Sequence, residues 1–253
     1  MVDEGEGVLA RVVRVLDCFT DDEPAVTAAQ LADRTGLPTS TLHRQLATLT
    51  ELGLLTRTTG HRYTIGPRLW ELGELSPLSV RLRETALPHM LRLYEATGEN
   101  VHLAVLDPPA PETAQALYVG RITGQESIPT LSRMGGRHPL HSTGVGKALL
   151  ATRDADWLDR FFVRPLERET THTITSAEVL REDIARTRAR GYATTREEMT
   201  LGNVSVAASV ARIEGLPPIA IGTVVHIERA DERRLSSLVV QTAKDLAKAL
   251  RDA

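Results

Sequence analysis

The run TAAQLADRTGLPTSTLHRQLATLTELGLLTRTTGHRYTIG, from Thr27 to Gly66, passes from helical to strand periodicity and organises everything on either side of it. Thr27 stands where an N-cap belongs. The following AAQLADRT predicts a short helix with Leu31 and Ala32 inward, and Gly36, Leu37 and Pro38 reverse the chain. From about Thr39 to Leu52, the spacing of Leu42, Leu46 and Leu49 predicts an amphipathic helix closed by Gly53. LLTRTTGHRYTI then gives two β-rich runs flanking Thr59-Gly60, a pair suited to a hairpin turn. Upstream, Val8, Leu9, Val12, Val13, Val15, Leu16 and Phe19 keep helical spacing until the acidic cluster Asp21 to Glu23. Three helices and a hairpin in so short a stretch describe a winged helix-turn-helix.

A helix whose apolar stripe is Leu42, Leu46 and Leu49 turns Ser40, His43, Arg44, Ala47 and Thr48 the other way. That face is small and hydrogen-bonding, as a major-groove reader needs. Thr39, Ser40 and Thr41 sit at the helix N-terminus, where free amides favour a phosphate. Arg57, His61 and Arg62 flank the wing turn and are candidates for backbone or minor-groove contacts. Charge is a partly contrary test, because residues 1 to 76 carry a net −4. Between Pro38 and Arg68, however, Arg44, Arg57, Arg62 and Arg68 face only Glu51, which concentrates positive charge on the third helix and the wing. The competing assignment is a protein-protein module with solvated arginines.

Working outward, Pro67 to Gly98 reads as a helical linker that Pro77 and Pro88 should break or kink. Trp70 and Leu72 on it belong at an interface or over local core. Beyond Asn100, VHLAVLD, QALYVGRI and SIPTLSR read as strands. Helices are expected near Gly144 to Thr152, Asp154 to Phe162 and Ala177 to Arg190. YATT, VSVAASVARI and IAIGTVVHI are further strands, and an amphipathic helix runs from about Asp231 to Leu250. The organisation expected is therefore α+β: residues 1–66 for DNA binding, 67–98 as linker, 99–253 as a mixed second domain.

With 253 residues, 42% hydrophobic and 25% charged, the chain has the composition of a globular protein of one large or two modest domains. Cys18 is the only thiol, which excludes intrachain disulfides and cysteine-based zinc sites. The acidic start MVDEGEGVLARVV does not resemble a secretory leader, and no apolar run is long enough to span a bilayer, so a cytoplasmic location and no membrane partner are expected. A formal charge of −3 excludes a globally basic nucleic-acid wrapper but leaves room for one basic face.

The Thr27 to Gly66 segment resembles the DNA-binding half of the IclR family of bacterial transcription regulators. RMGGRHPLHSTGVGKALLA, Arg133 to Ala151, is similar to the family's central signature, and RGYATTREEMTLGNVSVAASV, Arg190 to Val210, to its second. The resemblance implies a winged helix, a linker helix and a GAF-like or profilin-like α/β effector-binding domain. It also implies homodimers or dimers of dimers on operator DNA, and a small-molecule effector, with neither cofactor nor catalysis. It places Thr143, Gly144, Val145 and Gly146 on a pocket wall, whose amides suit a carboxylate, and Thr195, Arg196, Glu198, Ser205, Gly222 and Val224 opposite. Members that bind small oxoacids often carry an S-x-S-G pattern on the last strand. Here Gly222, Thr223 and Val224 stand instead, which argues for a larger or more apolar acid, aromatic or amphipathic, with Arg196 as a cation to meet it.

Other chemistries fit less well. TGVGKA is not a P-loop, since its first glycine position holds His141 and Ala148 follows Lys147. No G-x-S-x-G elbow occurs. His138 and His141, with His102, His172 and His226, could converge on a metal. Their spacing matches no ligand motif, and loop hydrogen bonding suits the first two better, so no metal is assigned. The alternative from another class is a metabolite-binding sensor or enzyme with a relict winged helix, for which the −4 of residues 1 to 76 speaks.

Overall fold

The computed structural model describes residues 7–20, 22–124 and 132–253, in two compact units that divide between Ser76 and Pro77. In the first, α1 (Val8–Leu16), α2 (Ala28–Thr35) and α3 (Thr39–Glu51) enclose a core containing Val15, Leu31, Leu42, Leu46 and Leu49. Helix α2 starts where it does because Thr27 and Gln30 form a reciprocal capping box: the Gln30 amide donates to Thr27 Oγ1 (3.3 Å) and the Thr27 amide to Gln30 Oε1 (2.9 Å). The wing strands β2 (Leu55–Arg57) and β3 (Arg62–Ile65) are joined by β1 (Val26–Thr27) in an antiparallel sheet ordered β1-β3-β2. Two residues are too few to show a period, so β1 was invisible in the sequence. Between β2 and β3 the turn is a short 3-10 segment, Thr59–His61.

The segment read as a linker is divided: α4 (Pro67–Glu74) belongs to the first unit, and the rest to the second. In the second unit, a π-wound stretch, Leu78–Arg83, leads into α5 (Glu84–Thr97). Pro88 was expected to interrupt this helix but lies inside it. It deprives only the Glu84 carbonyl of a partner, and both residues are exposed, so water can satisfy that oxygen.

The second unit is built on six strands, β4 (Asn100–Asp107), β5 (Gln115–Ile122), β6 (Arg137–His138), β7 (Ala193–Arg196), β8 (Asn203–Ser209) and β9 (Ile219–His226). Their order is β6-β5-β4-β9-β8-β7, with every neighbouring pair antiparallel. The strand expected at SIPTLSR falls, through residue 131, outside the described residues, as does Asp21.

Strand alternation sorts the side chains into two cores. Val101, Leu103, Val206 and Ile221 meet α5 and the last helix, α9 (Glu232–Asp252). Ala104, Ala207 and Ala220 face the other way, toward α6 (Gly144–Leu150), α7 (Ala155–Phe161) and α8 (Ala177–Arg190). Small residues, Ala104, Ala207 and Ala220, stand on the central strands facing α6, so it settles close to the sheet and all seven of its residues are buried. A Cβ on Gly144 would come within 2.3 Å of Ser205 Oγ, and one on Gly222 within 2.6 Å of Ala207 Cβ and 2.7 Å of the Val206 carbonyl oxygen.

The Gly222 contacts include backbone that cannot retreat, so Gly222→Ala should destabilise the second unit by about 1–3 kcal/mol. A urea titration is expected to show a lower midpoint than wild type, and an unchanged midpoint would mean the sheet is less tightly packed there.

Candidate functional site

Two surfaces carry the residues singled out in the sequence. On α3, Thr39, Ser40, His43, Arg44 and Thr48 are exposed and Thr41 is half-buried, because the stripe Leu42, Leu46 and Leu49 fixes the helix on the core. Among the described residues, the side chains of Ser40, His43 and Arg44 have no hydrogen-bond partner, whereas the Thr48 hydroxyl donates to the Arg44 carbonyl oxygen (3.1 Å). On the wing, Arg57 and His61 Nδ1 touch at 2.5 Å, both exposed. Arg62 is also exposed, but its Nη1 donates to the Ala25 carbonyl oxygen (2.9 Å), which ties the wing to the start of β1.

In the second unit, a cleft of about 470 Å³, partly open to solvent, forms where the N-terminus of α6 meets the sheet. Its floor is a row laid across five strands: Tyr118, His102, Val224, Ser205 and Thr195. Its walls include Thr143, Gly144, Glu198 and Asn203. The register explains the row, since Ser205 pairs with both Thr195 and Val224 and their side chains share one face. Thr143 caps α6 by accepting the Gly146 amide (3.2 Å), and the amides of Gly144 and Val145 meet no acceptor among the described residues.

Six of the ten expected effector residues line this cleft: Thr143, Gly144, Thr195, Glu198, Ser205 and Val224. Four do not. The Val145 side chain is in the core, Gly146 is pressed against the Leu140 backbone, and Gly222 lies under Ala207. Arg196 follows Thr195 on β7, so alternation sends it to the exposed side and no arginine lines the cleft.

His102, Tyr118 and His138 went unassigned as cleft residues in the sequence, and here they form an edge-to-face stack, with ring centroids 5.2 and 5.1 Å apart. His102 Nε2 lies 2.8 Å from Ser132 Oγ. Burial, reinforced by the Arg121 and His138 charges, pushes the His102 imidazole down to about 3, so the ring is neutral. Burial likewise raises the Tyr118 phenol, against a hydrogen bond with Thr143. His141 does bond a loop, with Nε2 2.8 Å from the Glu167 carbonyl oxygen. Among the described residues, no three His, Cys, Asp or Glu side chains are grouped to hold a metal.

Beneath the cleft lies a cluster absent from the sequence reading. Lys147 is fully buried in α6, and its Nζ donates to Asp183 Oδ2 of α8 (2.8 Å) and Glu198 Oε1 (2.7 Å). One cation thus serves two carboxylates. Desolvation holds Glu198 above the usual carboxylate range despite Lys147, and its Oε2 is buried without a hydrogen bond of good geometry.

Comparison with known proteins decides the family. The bacterial transcriptional regulator IclR C-terminal domain matches residues 78–251, and the IclR helix-turn-helix domain matches residues 8–59. The chain belongs to the IclR family. It is 30% identical over 244 residues to the transcriptional repressor IclR of Escherichia coli K12, covering 94% of this chain and 88% of that one. It is 32% identical over 248 residues to the regulator BhcR of Paracoccus denitrificans, covering 96% and 87%. A crystal structure of an IclR homolog from Microbacterium hydrocarbonoxydans, complexed with 4-hydroxybenzoate, superposes with a TM-score of 0.90 at 31% identity, covering 98% of this chain and all of that one. The fold is thus an IclR winged helix followed by the family's α/β domain, and no described helix is long and apolar enough to cross a membrane.

The neutral His102 carries a pH signature. Between its unfolded value near 6.5 and about 3, the unfolded chain binds a proton that the folded chain refuses. Stability from this group is therefore complete above pH 6.5 and falls by about 1.4 kcal/mol for each pH unit below it. In urea titrations across pH 7 to 4, His102→Gln should flatten that acid-side decline. Parallel curves for the two proteins would show that His102 is not the group responsible.

Proposed function

We propose that this IclR-family protein is an effector-responsive regulator that binds operator DNA through α3 and the wing, and an aromatic or amphipathic carboxylate in the cleft at α6. The observation that carries the ligand class is the pair of unpartnered Gly144 and Val145 amides at the mouth of a buried helix. Helix N-termini accept anions this way, and no carboxylate-binding arginine is needed. The stack of Tyr118, His102 and His138 offers a ring wall, and Val224 an apolar floor, for the body of such an acid. The 4-hydroxybenzoate held by the Microbacterium relative supports an aromatic member of the class.

On the DNA side, Ser40, His43 and Arg44 are proposed to read base edges, with Thr39, Thr41, Thr48, Arg57, His61 and Arg62 on the backbone. Assembly as a homodimer or dimer of dimers fits two further features of the first unit. Val8, Leu9 and Val13 of α1 are exposed, as are Trp70 and Leu72 of α4 and Leu75 at its C-terminal end. Two-fold assembly would place two reading helices on one operator and raise the effective affinity. The regulated genes are proposed to be a catabolic operon for the same acid.

Fluorescence anisotropy on the DNA upstream of the gene should show salt-dependent, sequence-selective binding that 4-hydroxybenzoate or a related acid shifts by roughly 5- to 150-fold. Arg44→Ala should weaken operator binding by about 1–3 kcal/mol and leave calorimetric acid binding unchanged. Equal affinity for scrambled DNA would favour the sensor or enzyme with a relict winged helix.

A further inference from the structure

A second cleft, of about 830 Å³, lies at the other end of α6. It is formed by the loop after that helix, Thr152 and Arg153, and by the connection from β8 to β9, Val210 to Pro218. No residue lines both clefts. Helix α6 touches the first cleft with Gly144 and leads into the second at Thr152, β8 runs from Ser205 toward Val210, and β9 from Val224 back to Ile219.

Among the described residues, Arg153 and Arg212 are the only charged side chains lining this cleft, and no carboxylate lines it. Arg212 makes neither a hydrogen bond nor an ion pair with any described residue. Arg153 spends only its Nε, which donates to Thr152 Oγ1 (3.1 Å). The acid nearest in sequence, Asp154, does not line the cleft; its Oδ1 caps α7 by accepting the Trp157 amide (2.9 Å), and its charge favours the Arg153 cation more than the Arg212 charge opposes it. Burial is the main influence disfavouring the charged form of Arg153, with Arg212 a smaller one in the same direction. A half-buried guanidinium gains from an anion brought into the cleft, and an exposed one beside it is free to turn toward the same anion.

The wall is also prepared for a ligand. The Val210 amide donates to the Ile219 carbonyl oxygen (2.9 Å) and the Leu216 amide to that of Ile213 (3.3 Å), while Arg81 grips the Glu214 carbonyl from outside (2.8 Å). Pro217 and Pro218 stiffen what remains. Half-exposed apolar side chains, Leu216, Pro217 and Pro218, share the lining with the arginines. A fixed apolar wall with two guanidinium forks matches a carboxylate carrying a hydrocarbon body better than a bare inorganic ion.

We propose that this cleft is a second ligand site, separate from the one at the α6 N-terminus, and that it takes a small organic carboxylate between Arg153 and Arg212. The test is calorimetric titration of the full chain with hexanoate, and separately with inorganic phosphate, at constant ionic strength. A saturable hexanoate component is expected that persists in Val224→Trp, which fills the first cleft. It should weaken at least about 10-fold in R153Q/R212Q and about 3-fold in Arg212→Gln alone, an exposed position with no contact to lose. Identical isotherms for wild type and R153Q/R212Q overturn the proposal. Phosphate binding as tightly as hexanoate overturns the organic ligand and leaves a simple basic patch. A change in molar mass by light scattering in R153Q/R212Q, with the hexanoate isotherm unaltered, assigns the cleft to an acidic side chain of a second copy and overturns it as well.

Discussion

The second unit is organised around a lysine that has no access to water. Lys147 sits at the middle of a seven-residue helix buried on every side, and an ammonium in that position is tolerable only if carboxylates come to it. Asp183 arrives from α8 and Glu198 from the segment after β7, so one group fixes three pieces of chain against each other. Removing one member of such a cluster typically costs about 3–5 kcal/mol, because the others stay buried without a partner. The small residues of the sheet are the second half of the constraint. Ala104, Ala207, Ala220 and Gly222 let α6 approach until Gly144 touches Ser205, and the cleft begins where that contact ends.

This arrangement determines what the cleft can recognise. The cation beneath it, Lys147, is already shared by two carboxylates, its imidazole at His102 is neutral, and no arginine lines it among the described residues. In the proposed acid site, recognition would fall to the two amides opening α6, backed by the hydroxyls of Thr195 and Ser205 and by an aromatic wall. Neutral donors in a fixed, partly dry cleft discriminate by geometry, and apolar contacts around them set the size of the ligand.

The architecture was legible because its signals are local and periodic. The i, i+4, i+7 leucines of α3, the N-cap position of Thr27, and the strand-forming runs of β4, β8 and β9 are each readable within a dozen residues. The family signatures then fixed the order of the parts. Part of the cleft was legible only through the family resemblance, which placed Thr143, Gly144, Ser205 and Val224 on it. Arg196 was misplaced because a position-by-position mapping ignores that Thr195 and its neighbour face opposite ways. His102 and Tyr118 lie far from both signatures and reach the cleft only through strand order, which no local pattern encodes. Lys147 was weighed only as part of a phosphate loop. An isolated charge within an apolar helix, GVGKALL, was the signal for a buried ion cluster, but its partners, 36 and 51 residues away, become visible only in three dimensions.

The most direct test is the nuclear magnetic resonance response of the Gly144 and Val145 amides to a saturating aromatic carboxylate. If the buried cluster holds α6 so that its first amides receive the acid, these two proton signals should move downfield, further than others in the unit, and saturate with the calorimetric binding curve. Saturable binding that leaves both signals in place, with shifts confined to other residues, would contradict that role for α6.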